Sequence, residues 1–456
     1  MKYRSTRGGV TGLSFKQAVL MGLASDGGLL VPESIPDVSK DMAHWKSLDY
    51  PDLAFQIMCR FIDDIDANAL SGILQRSYEH FDTPLIAPLV PLGQAHVLEL
   101  FHGPTLAFKD VALQFLGQVF DHILEESGEH LNIIGATSGD TGSAAIAGTR
   151  GRRNIDIFIM YPDGRTSVIQ ERQMTTVPDD NVHCLAIEGT FDDCQHILKT
   201  LFNDADFKEQ YHLGAVNSVN WARILAQVVY YFSAWNQLQC PDAFQVSVPT
   251  GNFGNVFSAM VARKMGLPIT RIILATNSND ILSRFFNKGV YAQHSVHHSY
   301  SPAMDIQVAS NLERYLYYLF EENTGRVKAF MQMFAETGEA RIDFNTAALD
   351  PLVTAGSADD EQTLATLKSV YEETGYLMDP HTAVGATVSA RLASTQVPLV
   401  NLATAHPAKF ADVIEKALPG VPARHPLLDE LEHKPVRKTR LAASSDSVRE
   451  FIAGAV

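Results

Sequence analysis

Apolar residues recur at helical spacing through Ala112, Phe115, Leu116, Val119, Phe120, Ile123 and Leu124, a stripe that predicts one long amphipathic helix. Elsewhere the apolar positions fall in short continuous runs. Those at 131–135, 156–161, 182–187, 245–248, 271–275 and 398–402 read as strands. Runs without alternation suit strands covered on both faces, so the expected fold class is α/β, a mostly parallel sheet wrapped by helices. Helices are expected over 222–235 and 307–320. The first ~90 residues read as a small, mainly helical unit with loops at Asp26-Gly27-Gly28 and at 32–37. A proline-rich passage from Thr83 to Pro91 separates it from the rest. The basic stretch 433–440 is expected to be a solvated tail or a surface helix.

At 456 residues the chain is long enough for two or three domains and a large core. Hydrophobic residues make up 46% and charged residues 19%, the balance of an ordinary globular enzyme. A formal charge of −16 argues against nucleic acid or an anionic membrane as partner. Any anionic substrate must therefore be met by local cations or backbone amides. Cys59, Cys184, Cys194 and Cys240 show no CxxC spacing, which fits a reducing compartment better than a disulfide framework or a zinc site. With no apolar signal-like region near Met1 and no run of membrane-spanning length, a soluble cytoplasmic protein is expected.

The candidate chemistry starts at Lys109, in the run Leu100-Phe101-His102-Gly103-Pro104-Thr105-Leu106-Ala107-Phe108-Lys109-Asp110. This lysine has apolar neighbours, ends a Gly/Pro turn and directly precedes the predicted long helix. Asp110 is placed to cap that helix, which would set Lys109 at its positive end. Desolvation and the helix dipole both disfavour the ammonium, leaving a nucleophilic amine suited to an aldehyde cofactor. Taken alone, the run favours a lysine that reaches from a turn to solvent, and it is the rest of the chain that reverses this.

Three strand-to-helix turns supply anion sites. Pro249-Thr250-Gly251-Asn252-Phe253-Gly254-Asn255 aims backbone N–H groups and a helix start at one point, as a phosphate cradle does. It is neither a Walker A loop nor GxGxxG, and a tight turn without ligand is the alternative. Ala136-Thr137-Ser138-Gly139-Asp140-Thr141-Gly142 converges hydroxyls and amides suited to a carboxylate or second phosphate. Ala403-Thr404-Ala405-His406-Pro407-Ala408-Lys409-Phe410 is the third. All follow a strand's carboxyl end, where open α/β sheets bind ligands. His294, His297 and His298 cluster without HExxH or paired carboxylates, so a polar surface loop is expected there and no metal. No GxSxG elbow supports a serine hydrolase.

Together these motifs resemble the threonine synthase family, pyridoxal phosphate (PLP) enzymes of the tryptophan-synthase-β type of fold, fold type II. The resemblance runs nearly the whole length. It begins with Tyr3-Arg4-Ser5-Thr6-Arg7-Gly8 and the stretch from Gly22 to Glu33. It continues through the lysine run, the SGDTG turn, Asn217-Ser218-Val219-Asn220-Trp221-Ala222-Arg223, the GNFGN loop and the turn at Thr404. It implies open, mostly parallel sheets in two subdomains over 91–430, an extra mainly helical N-terminal domain over 1–90, and a C-terminal helix or tail over 431–456. Lys109 would hold PLP covalently; Gly251, Asn252, Phe253, Gly254 and Asn255 would bind its phosphate; Thr404 would face its pyridine nitrogen. Ser138, Asp140 and Thr141 would meet the substrate carboxylate or phosphate, and Asn217 and Arg223 the substrate phosphate. Asp140 departs from related enzymes of this fold, which often carry Asn there. A carboxylate should not face an anionic substrate, so it is expected to turn away and orient its loop.

The implied reaction is conversion of O-phospho-L-homoserine and water to L-threonine and phosphate by γ-elimination and β-hydration, with Lys109 moving the protons. A phospho-lyase that stops at 2-oxobutyrate and a non-catalytic scaffold are the alternatives. Nothing resembles a dedicated regulatory domain, and a monomer is expected.

Overall fold

The computed structural model describes residues 1–137, 139–344 and 349–456. The N-terminal stretch forms the helices Phe15–Met21, Tyr50–Met58 and Ala67–Tyr78, joined to an antiparallel ribbon of β1 (Tyr3–Ser5) and β2 (Leu30–Pro32). The ribbon is too short to show in the sequence pattern. Its Tyr3 is fully buried, with the hydroxyl donating to Phe61 O at 2.8 Å.

Beyond residue 88 the strands divide between two sheets. β3 (Leu89–Leu92) and β4 (Ala95–Glu99) open the larger sheet as a hairpin. β5 (Leu131–Ala136), β6 (Ile155–Pro162), β7 (Val182–Glu188) and β8 (Leu213–Ala215) build the smaller one. β9 (Phe244–Pro249) and β10 (Ile269–Thr276) return to the larger. β11 (Val290–Ala292) and β12 (Glu339–Arg341) pair apart as a ribbon. β13 (Val353–Ser357) and β14 (Leu399–Ala403) complete the larger sheet, and β15 (Thr439–Ala442) the smaller. The orders are β13-β10-β9-β14-β4-β3 and β15-β7-β6-β5-β8. All pairs are parallel except β3–β4. The six expected strands are all present, each ending within two residues of its expected bounds. β3 and β4 lack a continuous apolar run, and Pro91 in β3 is tolerated because that strand is an edge.

The basic stretch 433–440 is not a free tail. Thr439 and Arg440 enter β15, paired with Leu185 and Ala186 of β7. Its cations meet partners on the smaller sheet's side: Arg440 Nε lies 3.1 Å from Asp163 Oδ2, and Lys438 also reaches Asp163 and Glu171. The helix expected over 307–320 begins only at Leu312, as Leu312–Leu319. Asn311 N is committed to the carbonyl of Asn252, across the fold, and not to a preceding turn. His294, His297 and His298 are exposed in the loop after β11. Among the described residues no helix is long and apolar enough to cross a membrane.

Two helices carry the site. Trp221–Gln237 is buried continuously from Trp221 to Trp235, the pattern of a central core helix. Lys109–Ser127 carries the predicted stripe and crosses the helix Asp140–Thr149 at two glycines. A Cβ on Gly117 would come within 1.9 Å of Gly148 O, and one on Gly148 within 2.4 Å of Leu113 O. That backbone contact sets the spacing between Lys109 and Asp140 at the helix starts.

Gly117→Ala is therefore expected to destabilise the chain. Alanine gains about 1 kcal/mol of helix propensity, but overpacking against a backbone carbonyl costs up to ~3 kcal/mol. A lower midpoint in urea unfolding is the expected result; an unchanged midpoint would show that the crossing is not a tight constraint.

Candidate active site

Lys109 is the first residue of its helix, after Phe108 at the cap position. The expected Asp110 cap is not formed. Asp110 lies inside the first turn, where its carboxylate accepts Thr105 N at 2.8 Å and Thr105 Oγ1 at 2.7 Å. Its role is to close the loop that delivers the lysine. Burial pushes its pKa up to about 6 against those hydrogen bonds. Leu106 in that loop takes a left-handed φ of 59°, a strained conformation for leucine. It is held there by the turn after β14: His406 N donates to Leu106 O at 3.0 Å, Phe108 N donates to Thr404 O at 2.9 Å, and Ala107 bridges Ala405. Thr404 is thereby buried beside Lys109.

The helix Asp140–Thr149 starts opposite. Asp140 Oδ1 lies 2.9 Å from Lys409 Nζ and accepts Gln170 Nε2 at 2.9 Å; its Oδ2 lies 3.9 Å from Lys109 Nζ. Asp140 thus sits between two lysines, where a carboxylate is welcome. Burial would raise its pKa, but the charges of Lys409 and Lys109 outweigh that and hold it well below the usual carboxylate range. Desolvation pushes Lys109 down to about 8; Asp140 and, more weakly, Asp110 oppose the shift, while Arg223 and Lys409 add to it. Thr141 is half-buried in the same first turn, and Ser138 lies outside the described residues.

Arg223, in the first turn of Trp221–Gln237, is buried, and its Nε and Nη1 have no partner among the described residues. Burial pushes its pKa down to about 10, so it remains charged at neutral pH. Two orphaned donors on a buried guanidinium mark a place for a bidentate anion. Asn217 is half-buried, its Oδ1 accepting Val219 N at 3.1 Å.

The Gly251–Asn255 loop follows β9. None of its five backbone N–H groups donates to another described residue, the condition for cradling a phosphate. Phe253 is fully buried at φ 64°, with its ring 5.7 Å from that of Phe286 and 5.9 Å from that of Tyr315. Gly251 is needed: a Cβ there would meet Ala303 O at 2.9 Å. Asn255 turns its side-chain oxygen inward, accepting the Tyr230 hydroxyl, which leaves its backbone N–H and its side-chain amide N–H groups as donors. A reactive lysine, a free N–H cradle and a buried hydroxyl residue at Thr404 fit PLP.

Lys409 was not among the sequence candidates. Its side chain is fully buried and also donates to Thr105 O at 2.8 Å. The signal was available, since Ala408 and Phe410 flank it as Ala107 and Phe108 precede Lys109. Gln170 carried none, because only the fold brings its helix, Val168–Thr175, to Asp140.

Three family models match the chain: Threonine synthase N terminus over residues 2–78, Pyridoxal-phosphate dependent enzyme over 80–349, and Threonine synthase, C-terminal, over 382–452. The threonine synthase of Pseudomonas aeruginosa is 47% identical, with 99% of this chain and 98% of that protein covered. The PLP-bound threonine synthase structure from Brucella melitensis superposes with a TM-score of 0.95 at 43% identity, covering 100% of this chain and 99% of that one. The yeast threonine synthase structure gives 0.94 at 40%, covering 100% and 98%.

Two outcomes are expected at the lysine pair. Asp140 stabilises the charged form of Lys109, so Asp140→Asn should move the amine's titration midpoint below about 8. The pH dependence of reductive methylation of Lys109, read by peptide mass spectrometry on the cofactor-free chain, checks this; an unchanged or higher midpoint contradicts it. Lys409→Met leaves the buried carboxylate short of its nearest cation and should cost ~3–5 kcal/mol in denaturant unfolding.

Proposed function

The chain belongs to the threonine synthase family of PLP-dependent enzymes, and on that premise we propose that it converts O-phospho-L-homoserine and water to L-threonine and phosphate. The observation that carries this reading is the buried guanidinium of Arg223, with two donors unpaired among the described residues, close enough to the depressed amine of Lys109 to act on its charge. A phosphate monoester offers the bidentate dianion that such a group requires.

When bound, PLP supplies an electron-accepting ring that makes hydrogens at the substrate's Cα and Cβ removable. Lys109 is the base for both, since an amine with a pKa of about 8 gains and loses protons readily near neutral pH. Asp140, 3.9 Å away, holds the lysine once it is charged. Lys409 keeps Asp140 ionised, so the proton stays on the amine. Arg223 holds the γ-phosphate, together with the side-chain N–H groups of Asn217, whose oxygen is already engaged. The phosphate leaves with the electron pair of the Cγ–O bond. Lys109 then returns protons at Cγ and Cα, while water gives its hydroxyl to Cβ and its proton to the departing phosphate. Thr141, at the start of Asp140–Thr149, binds the substrate carboxylate with the help of that helix N-terminus. Thr404 would offer the cofactor's ring nitrogen a hydroxyl in place of a carboxylate, which gives little reason to protonate it. Four free cysteines suit the reducing cytoplasm as the place of action.

Product analysis after incubation of the PLP-loaded chain with O-phospho-L-homoserine tests the proposal. L-threonine and phosphate are expected in equal amounts; a majority of 2-oxobutyrate would overturn it.

A further inference from the structure

Arg314 is fully buried, yet none of its donors meets a carboxylate among the described residues. Nε and Nη2 donate to Leu30 O at 3.1 and 2.9 Å, and Nη2 also donates to Val219 O. Nη1 donates to the side-chain oxygen of Asn311. All these acceptors are neutral. The adjacent Glu313 is taken by Thr6 Oγ1 at 2.6 Å and Arg7 Nη2 at 2.8 Å. Burial pushes the guanidinium's pKa down to about 9 against the opposing pull of Tyr318 and Glu313, so the fold bears a charge that no carboxylate contacts among the described residues. A buried, unpaired cation is costly unless an anion lies within reach.

Asn311 shows where that anion belongs. Its Nδ2 and its backbone N each donate to Asn252 O at 3.1 Å, and Nδ2 also donates to Ser218 O at 3.1 Å. The Asn252 carbonyl shares a peptide bond with the Phe253 N–H, one of the free donors of the cradle. Hydrogen bonds in such a chain polarise one another, so a cation at one end strengthens the N–H at the other. Tyr315, the next residue after Arg314, packs against the Phe253 ring and holds the same residue from its side chain.

We propose that Arg314 is a positioning residue for the cofactor phosphate: through Asn311 it sharpens the Phe253 N–H donor, and the phosphate supplies the charge that the buried guanidinium lacks. The proposal rests on the reading of Gly251–Asn255 as the phosphate cradle. It also gives the N-terminal unit a task in the chemistry, because Leu30 O belongs to β2 and Val219 O to the loop that presents Asn217. One side chain thus ties together the N-terminal ribbon, the substrate loop and the cofactor loop.

The test titrates the full-length, cofactor-free chain with PLP and with pyridoxal, which lacks the phosphate. The native chain should bind PLP far more tightly. Arg314→Met should weaken PLP about tenfold or more while leaving pyridoxal within about twofold, and Arg314→Lys should recover part of the loss. The 31P resonance of bound PLP should shift in the methionine variant and move back in the lysine variant. If Arg314→Met does not fold, Asn311→Leu cuts the relay while leaving the carbonyl contacts of Arg314, and the same selective loss is expected. An equal loss for both ligands would reduce Arg314 to a structural prop, and an undiminished preference for PLP would overturn the relay. A native chain that does not distinguish PLP from pyridoxal would overturn the cradle reading itself.

Discussion

Asp140 brings one negative charge into a buried volume that also holds Lys109, Lys409 and Arg223. The surrounding turns make that charge tenable by placing a lysine or a glutamine amide against each oxygen. Three cations against the carboxylates of Asp140 and Asp110 leave the pocket electropositive within a chain whose formal charge is −16. The field is therefore local, built from side chains that water cannot screen. A ligand carrying a phosphate and a carboxylate corrects the imbalance, which is the electrostatic basis of the proposed substrate. The same arrangement sets the chemistry of Lys109. Burial makes its amine available, and Asp140 limits how far the basicity falls.

These groups come from different sheets. Lys109 and Lys409 follow β4 and β14 of the larger sheet, whereas Asp140 follows β5 of the smaller one. The helix Val168–Thr175 reinforces the junction from the smaller sheet's side, through Gln170 to Asp140 and through Gln173 to Thr105 O at 2.9 Å. Any shift of one sheet against the other changes the Asp140–Lys109 separation, and with it the readiness of the amine to give up its proton. Were the sheets to close over a substrate, the same movement would tune the base.

Much of this frame was legible in the residues. Continuous apolar runs identified the strands buried on both faces, because in a parallel sheet burial and sequence pattern are the same fact. Edge and short strands such as β3, β8 and β15 bury too little to leave such a mark. The glycine-rich turns could be located, since their residue types follow from local backbone needs. Side-chain partners across the fold could not. Asp110 looked like a cap because it stands where a cap would stand, yet Thr105 competes for its carboxylate. Arg314 reads as one more charge on a helix until the fold surrounds it with carbonyls from two distant segments, at Leu30 and Val219.

The strand order also bears on how the protein is made. β14 lies between β9 and β4 in the larger sheet, although its residues, Leu399–Ala403, come more than a hundred positions after β9. β15, near the carboxyl terminus, closes an edge of the smaller sheet. Neither sheet can be completed until a ribosome has delivered most of the chain, so long-range pairings form late and nascent edges stay open meanwhile. A nonsense codon just before Thr439 would strip β15 and leave β7 as an exposed edge. Such a product belongs to the quality-control machinery of the cell, however intact its catalytic residues.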